Sequence, residues 1–150
     1  MNIRRYRPAD AVPVRRLHER VLRAAGTDPA DIADPEDIEH ITAAYLDSGG
    51  EFLVVEDGDE IVAIGGLKVD GQTGELYRMR VAIDRQGEGV GTQLLGALEA
   101  AARERGVEVL RAQTSQRQRS AVEFYPANGY DHVGTSPRGE YTLHHFAKEL

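Results

Sequence analysis

Residues 81–95, VAIDRQGEGVGTQLL, hold the pattern with the clearest chemical use. An apolar run ends, glycines follow at 87, 89 and 91, and a helix-forming stretch begins inside the glycine run. Glycine lets a backbone take left-handed turns and approach a ligand closely. The first turn of a helix carries free N–H groups and a partial positive charge. Together these suit an anion such as a pyrophosphate. Taken alone, the glycines would equally serve a tight strand-to-helix turn and close packing. Two other phosphate loops are excluded. A Walker loop needs Lys and then Ser or Thr in register after its last glycine, and a dinucleotide fingerprint needs GxGxxG with an acidic residue about 20 positions later. Here the spacing is GxGxG. The chain has no cysteine, so thiolate nucleophiles, disulfides and thiolate metal sites are excluded. None of its five histidines makes a pair that reads as a metal site, and no metal is expected.

The surrounding elements must hold that loop. Residues 2–6 read as a first strand. Asp10 is a helix cap, and Val14, Leu17 and Val21 form the apolar stripe of the helix it opens. Gly and Pro in GTDPADIADPED break this helix, and Asp34-Pro35 starts a second one, with Ile38, Ile41 and Tyr45 on its buried face. Strands follow at 52–56 and 61–69 around an AspGly hairpin signal, then at 75–81 after a second turn. A regular pleat would put Glu75, Tyr77, Met79 and Val81 on one face and Leu76, Arg78 and Arg80 on the other. A helix from about 89 to 105, a strand at 107–114, a short helix at 118–128 and two closing strands complete the order βααβββαβαββ. This is an α/β fold with a mixed sheet, read as one domain over 1–150. The segment from strand 75–81 to strand 107–114 is a β-α-β crossover, so those two strands should run parallel.

Composition narrows the function. With 18 Lys plus Arg against 25 Asp plus Glu, the net charge is −7. That balance disfavours nucleic acid and an anionic membrane surface, and it suits a cationic partner. No apolar run approaches the roughly 18 residues of a membrane span, and the start has no secretory pattern. A cytoplasmic location is the expectation.

The segment QGEGVG (86–91) fits the Q/R-x-x-G-x-G/A signature of the GNAT-type N-acetyltransferases, and the chain resembles that family in three further features. ELYRMRV is similar to the family's fourth strand. The helix and strand after the loop stand where the family has its third helix and fifth strand. QRQRSAVEFYPANGY (116–130) then matches the element N/Q-x-x-A-x-x-x-Y-x-x-x-G-F/Y through Gln118, Ala121, Tyr125, Gly129 and Tyr130. The resemblance covers residues 50–150 and is looser before them.

The resemblance implies the GNAT acyl-CoA N-acyltransferase fold, with a V-shaped splay between strands 75–81 and 107–114 that takes acetyl-CoA as co-substrate. The pyrophosphate would meet backbone N–H groups of Gln86, Gly87, Glu88, Gly89, Val90 and Gly91, with Thr92. Pantetheine would pair with the strand edge near Met79 and Val81, and Gln118 would bond the same arm. The reaction implied is direct acetyl transfer to a primary amine in a ternary complex, with Tyr125 as acid and Glu75 as base. The alternative is a non-catalytic domain of the same fold that binds or senses CoA. Acids at 28, 31, 34, 36 and 37 would favour a cationic acceptor. A homodimer through the terminal strands is also compatible with the resemblance. Pro126, directly after Tyr125, is expected to kink or end the short helix.

Overall fold

The computed structural model describes residues 1–32, 35–115 and 119–150. Seven strands form one sheet: β1 (Asn2–Arg5), β2 (Glu51–Asp57), β3 (Glu60–Asp70), β4 (Thr73–Val81), β5 (Val109–Ser115), β6 (Asp131–Arg138) and β7 (Tyr141–Glu149). Their order across the sheet is β1-β2-β3-β4-β5-β7-β6. Neighbours are antiparallel except β4 and β5, which run parallel as the crossover requires. The helices are α1 (Ala11–Ala24), α2 (Val90–Glu104) and α3 (Arg119–Ala127). Among the described residues no helix is long and apolar enough to cross a membrane.

Both faces of the central strands are covered, which is why β2 and β3 carry nearly continuous apolar runs. Met79, Leu94 and Leu98 crowd the side of Gly65, whereas Tyr45 and Phe52 crowd the side of Gly66. Neighbouring strand residues point to opposite faces, so α2 lies on one face of the sheet and the segment holding Tyr45 on the other. Helix α1 packs on β3 and β4 and touches residues 35–39, sharing the face of Tyr45. Val14, Leu17 and Leu22 fill the α1 side, and Leu94, Leu95, Leu98 and Ala102 the α2 side, all buried.

Two expectations about local geometry change. The second helix is not a continuous α-helix. Residues Pro35–Glu39 form a 3-10 turn, and Thr42–Leu46 a single π turn closed by Asp47 N–H on the Thr42 carbonyl, 2.8 Å. Ile38, Ile41 and Tyr45 are buried all the same. The apolar spacing is satisfied, but the backbone follows tertiary contacts: the Asp37 carboxylate is held by Arg78 at 3.0 Å and by the Tyr45 hydroxyl at 2.7 Å. Weak helix formers such as Ile, Thr and Asp offer little resistance to such contacts.

The second change lies in β4. Pairing with β3 jumps from Ile64↔Arg80 to Gly66↔Tyr77, so Arg78 and Met79 together oppose Gly65. This is a β-bulge, with Arg78 in the left-handed region at φ 55°. It breaks the simple alternation. Tyr77 and Arg78 both reach the Tyr45 and Asp37 face, while Met79 packs under α2. Glu75 and Tyr77 therefore do not share a face with Met79 and Val81.

Candidate active site in the strand splay

The parallel pairing of β4 and β5 covers only Thr73↔Val109, Gly74↔Leu110 and Glu75↔Arg111. Beyond it, β4 stays paired with β3 as far as Val81, and β5 stays paired with β7 as far as Ser115. Each strand is thus anchored on its outer side and open on its inner side, so the two part as a V. A cavity of about 130 Å³ lies in the opening. Leu76 to Arg80 of β4, Gln113 to Ser115 of β5 and Tyr125 of α3 line it. Thr27, Asp31 and Ile32 from the loop after α1 face Arg138, Tyr141 and Leu143 from the β6–β7 hairpin around it.

The glycine turn stands at the far end of β4. Gly87 and Gly89 both take φ 83°, a conformation that side chains resist. A Cβ on Gly91 would lie 3.3 Å from Phe124 and 3.4 Å from Val81, so the start of α2 is pressed against the end of β4 and against α3. Gly89 is the N-cap and no side chain caps the helix. Gln93 N–H reaches the Gly89 carbonyl at 3.1 Å; the N–H groups of Val90, Gly91 and Thr92 precede it and have no intrahelical acceptor. Glu88 is exposed, leaving the turn lined by backbone donors. Ala82 N–H bonds the Val62 carbonyl at 2.8 Å across β3. By the alternation of a ladder, the N–H and C=O of Val81 then point to the open edge. Gln86 Nε2 holds that carbonyl at 3.1 Å.

Tyr125 is 4% exposed. Its ring packs against Phe124, Tyr130 and Phe146, with centroids 5.3–5.5 Å away. Helix α3 runs one residue past Pro126 and ends at Ala127. Asn128 and Tyr130 N–H groups both fold back onto the Tyr125 carbonyl at 3.0 Å. Pro126 sits in the last turn of α3, where it withholds the N–H that the Val122 carbonyl would otherwise receive, and the helix ends one residue later. Burial pushes the Tyr125 hydroxyl up to about 12, with the Arg80 cation pulling the other way. The phenol holds its proton at neutral pH.

Glu75 does not line the cavity. Its carboxylate accepts the Tyr77 hydroxyl at 2.7 Å, and Tyr77 does line it. Gln118 lies outside the described residues, as do Arg117 and Asp34. His144 and His145 are taken up within the β6–β7 hairpin: His144 Nδ1 stands 3.0 Å from His132 Nε2, and His145 Nε2 2.7 Å from Ser136 Oγ. Neither lines the cavity. Of the acids expected near the acceptor, Asp37 is engaged by Arg78 and Tyr45, and Asp28 accepts the Ala30 N–H at 2.9 Å. Asp31 lines the cavity. Among the described residues no cluster of three metal-ligating side chains occurs.

Sequence reasoning missed Arg80, Tyr77 and Thr27 as lining residues. Two arginines in an otherwise apolar central strand were the available signal. The bulge that turns Tyr77 and Arg78 together was not visible, and a single threonine after a helix carries no signal.

The chain matches the family described as "Acetyltransferase (GNAT) family" over residues 14–130. It is 33% identical over 107 residues to N-acetyltransferase 8 of Rattus norvegicus, covering 67% of this chain and 48% of that protein. The chain thus spans about half the length of the curated relatives it matches. The crystal structure of an acetyltransferase of the GNAT family from Staphylococcus aureus superposes with TM-score 0.87 at 22% identity, over 99% of this chain and 98% of that one. The structure of yncA from Salmonella typhimurium with its cofactor acetyl-CoA superposes with TM-score 0.81 at 21% identity, over 100% of this chain and 94% of that one.

Proposed function

Since this chain belongs to the acetyltransferase (GNAT) family, we propose that it moves the acetyl group of acetyl-CoA directly to a primary amine. The observation that carries this reading is the parting of β4 and β5 after Glu75↔Arg111, with Tyr125 inside the opening and the uncapped start of α2 at its far end.

The residues fit the co-substrate. Backbone N–H groups from Gln86 to Thr92 would take the pyrophosphate, as a helix start favours. The open edge of β4 near Met79 and Val81 would pair with the pantetheine amides like an added strand. Gln118 would bond the same arm. Parallel alignment along β4 would bring the thioester toward Tyr125, and the walls of the cavity would hold the amine against it.

In the reaction a C–N bond forms and the C–S bond breaks. An ammonium ion is no nucleophile, so a proton must leave first. Tyr77 lines the cavity and donates to Glu75. It would take the amine proton as it passes its own to the Glu75 carboxylate, which gives Glu75 the base role through one intervening hydroxyl. Tyr125 keeps its proton on oxygen until the sulfur carries charge, and donates it to the departing thiolate.

Calorimetric titration with acetyl-CoA, CoA and ATP tests the binding half of this reading. Micromolar acetyl-CoA and CoA binding with weak ATP binding is expected; no acetyl-CoA binding overturns it. Thiol release over a panel of primary amines tests the transfer half. Binding without turnover would favour the non-catalytic CoA-binding alternative.

A further inference from the structure

Two residues that line the cavity each hold a buried polar atom with no hydrogen-bond partner among the described residues. Arg80 Nε and Thr27 Oγ1 are both buried, and neither makes a hydrogen bond among the described residues. Thr27 is 8% exposed. Arg80 spends Nη1 on the Met79 carbonyl at 2.9 Å. Its neighbour Arg78 has Asp37 at 3.0 Å, but Arg80 has no carboxylate within ion-pair distance among the described residues. Arg80 is half-buried with its Nε fully enclosed, and a cation so placed is costly to keep without a counter-ion. Arg138 also lines the cavity and uses Nη2 on the Asp31 carbonyl at 3.3 Å. The lining thus sets Arg78, Arg80 and Arg138 against one carboxylate, Asp31, and Arg80 is in no ion pair among the described residues.

The chemistry of that anion can be narrowed. The glycine turn abuts α3 and the Val81 side chain on the α2 face. Arg80 reaches the α1 face, near enough to His18 of α1 to depress its basicity. The pyrophosphate is therefore not the missing partner. A thioester carbonyl is neutral except in passing, so it does not balance a resting cation. A carboxylate on the acceptor does, and a planar guanidinium lining the same cavity as a hydroxyl is a natural receptor for it.

Resting on the acetyl-transfer reading, we infer that the acceptor is an amine that also carries a carboxylate, of the free amino acid type, and that Arg80 and Thr27 bind that carboxylate. Arg138 at the hairpin adds a second cation to the same cavity. The amine is then held a few bonds from a fixed anchor, next to Tyr77 and Tyr125.

The test measures thiol release from acetyl-CoA with the proteinogenic amino acids, each beside its α-carboxamide, for the wild type, Thr27→Val and Arg80→Gln. Acetyl-CoA titration of all three proteins runs in parallel. The wild type should prefer acids over carboxamides by roughly 10–100-fold in kcat/KM, the scale of a charged hydrogen bond. Thr27→Val should raise KM for acids and leave carboxamides alone. Arg80→Gln should abolish the preference, with acetyl-CoA affinity unchanged in both variants. Carboxamides turned over as well as acids would overturn the inference. So would an Arg80→Gln loss in kcat that is equal for both series, which would assign Arg80 to the reacting oxygen. Acetyl-CoA binding with no turnover of either series overturns it too. Loss of acetyl-CoA binding in the wild type is the separate result that removes the acetyl-transfer reading itself.

Discussion

Arg78 and Asp37 form an ion pair at 3.0 Å with side chains only 8% and 7% exposed. The pair ties the bulge of β4 to the 3-10 turn at 35–39, and Tyr45 donates to the same carboxylate at 2.7 Å. Breaking one member of a buried pair leaves an uncompensated charge, at a cost of about 3 kcal/mol or more. Asp37→Asn should lower the urea unfolding free energy by that amount. Lys68→Met, which removes a partner at 3.9 Å, should cost under about 1 kcal/mol.

Tyr125→Phe removes a hydroxyl and keeps the buried ring. Thermal stability should stay near that of the wild type. Steady-state thiol release should show kcat reduced about 100-fold, within the usual range for a lost acid, and little change in KM for acetyl-CoA. An unchanged kcat would remove Tyr125 from the mechanism.

Glu75 and Tyr77 should behave as a couple. Glu75→Gln and Tyr77→Phe should each slow transfer by about tenfold or more, and the double variant should be little slower than either single one. Both should regain rate as pH rises and the amine deprotonates unaided. Additive losses would separate the two residues.

Gly89→Ala forces a side chain into φ 83° at the N-cap of α2. Left-handed backbone costs an alanine roughly 1–2 kcal/mol. Chemical denaturation should register that loss. Calorimetry should register acetyl-CoA binding about 3–10-fold weaker as the N–H donors tilt away.

His18 is 1% exposed and its pKa is depressed to about 3 by burial, then by Arg80 and Arg78. The unfolded chain binds this proton near pH 6.5 and the folded chain does not, so its contribution is intact above about 6.5 and shrinks as pH falls toward 3. Near pH 4.5 the loss is about 2–3 kcal/mol. His18→Leu should narrow the gap in unfolding free energy between about pH 7.5 and about pH 4.5 by that amount. An unchanged gap would mean that His18 protonates in the fold.

Much of the architecture was legible from local signals. The apolar stripe of α1, the AspGly hairpin between β2 and β3, and the glycine turn before α2 each depend on residues close in the chain. The second helix was misread because Ile38, Ile41 and Tyr45 satisfy helical spacing while Asp37 answers to Arg78, 41 residues away.

The sequence by itself determined the order of the strands, the parallel crossover and the place of the glycine turn, because periodicity, turn chemistry and short spacings are local properties. Tertiary structure alone decided where β4 and β5 part, that the bulge carries Tyr77 and Arg78 to one face, and that Thr27 and Arg80 line one cavity with Oγ1 and Nε unbonded among the described residues. Those outcomes depend on which strand edges find partners and which buried charges find counter-ions. Both are settled between residues far apart in the chain, where no local pattern records them.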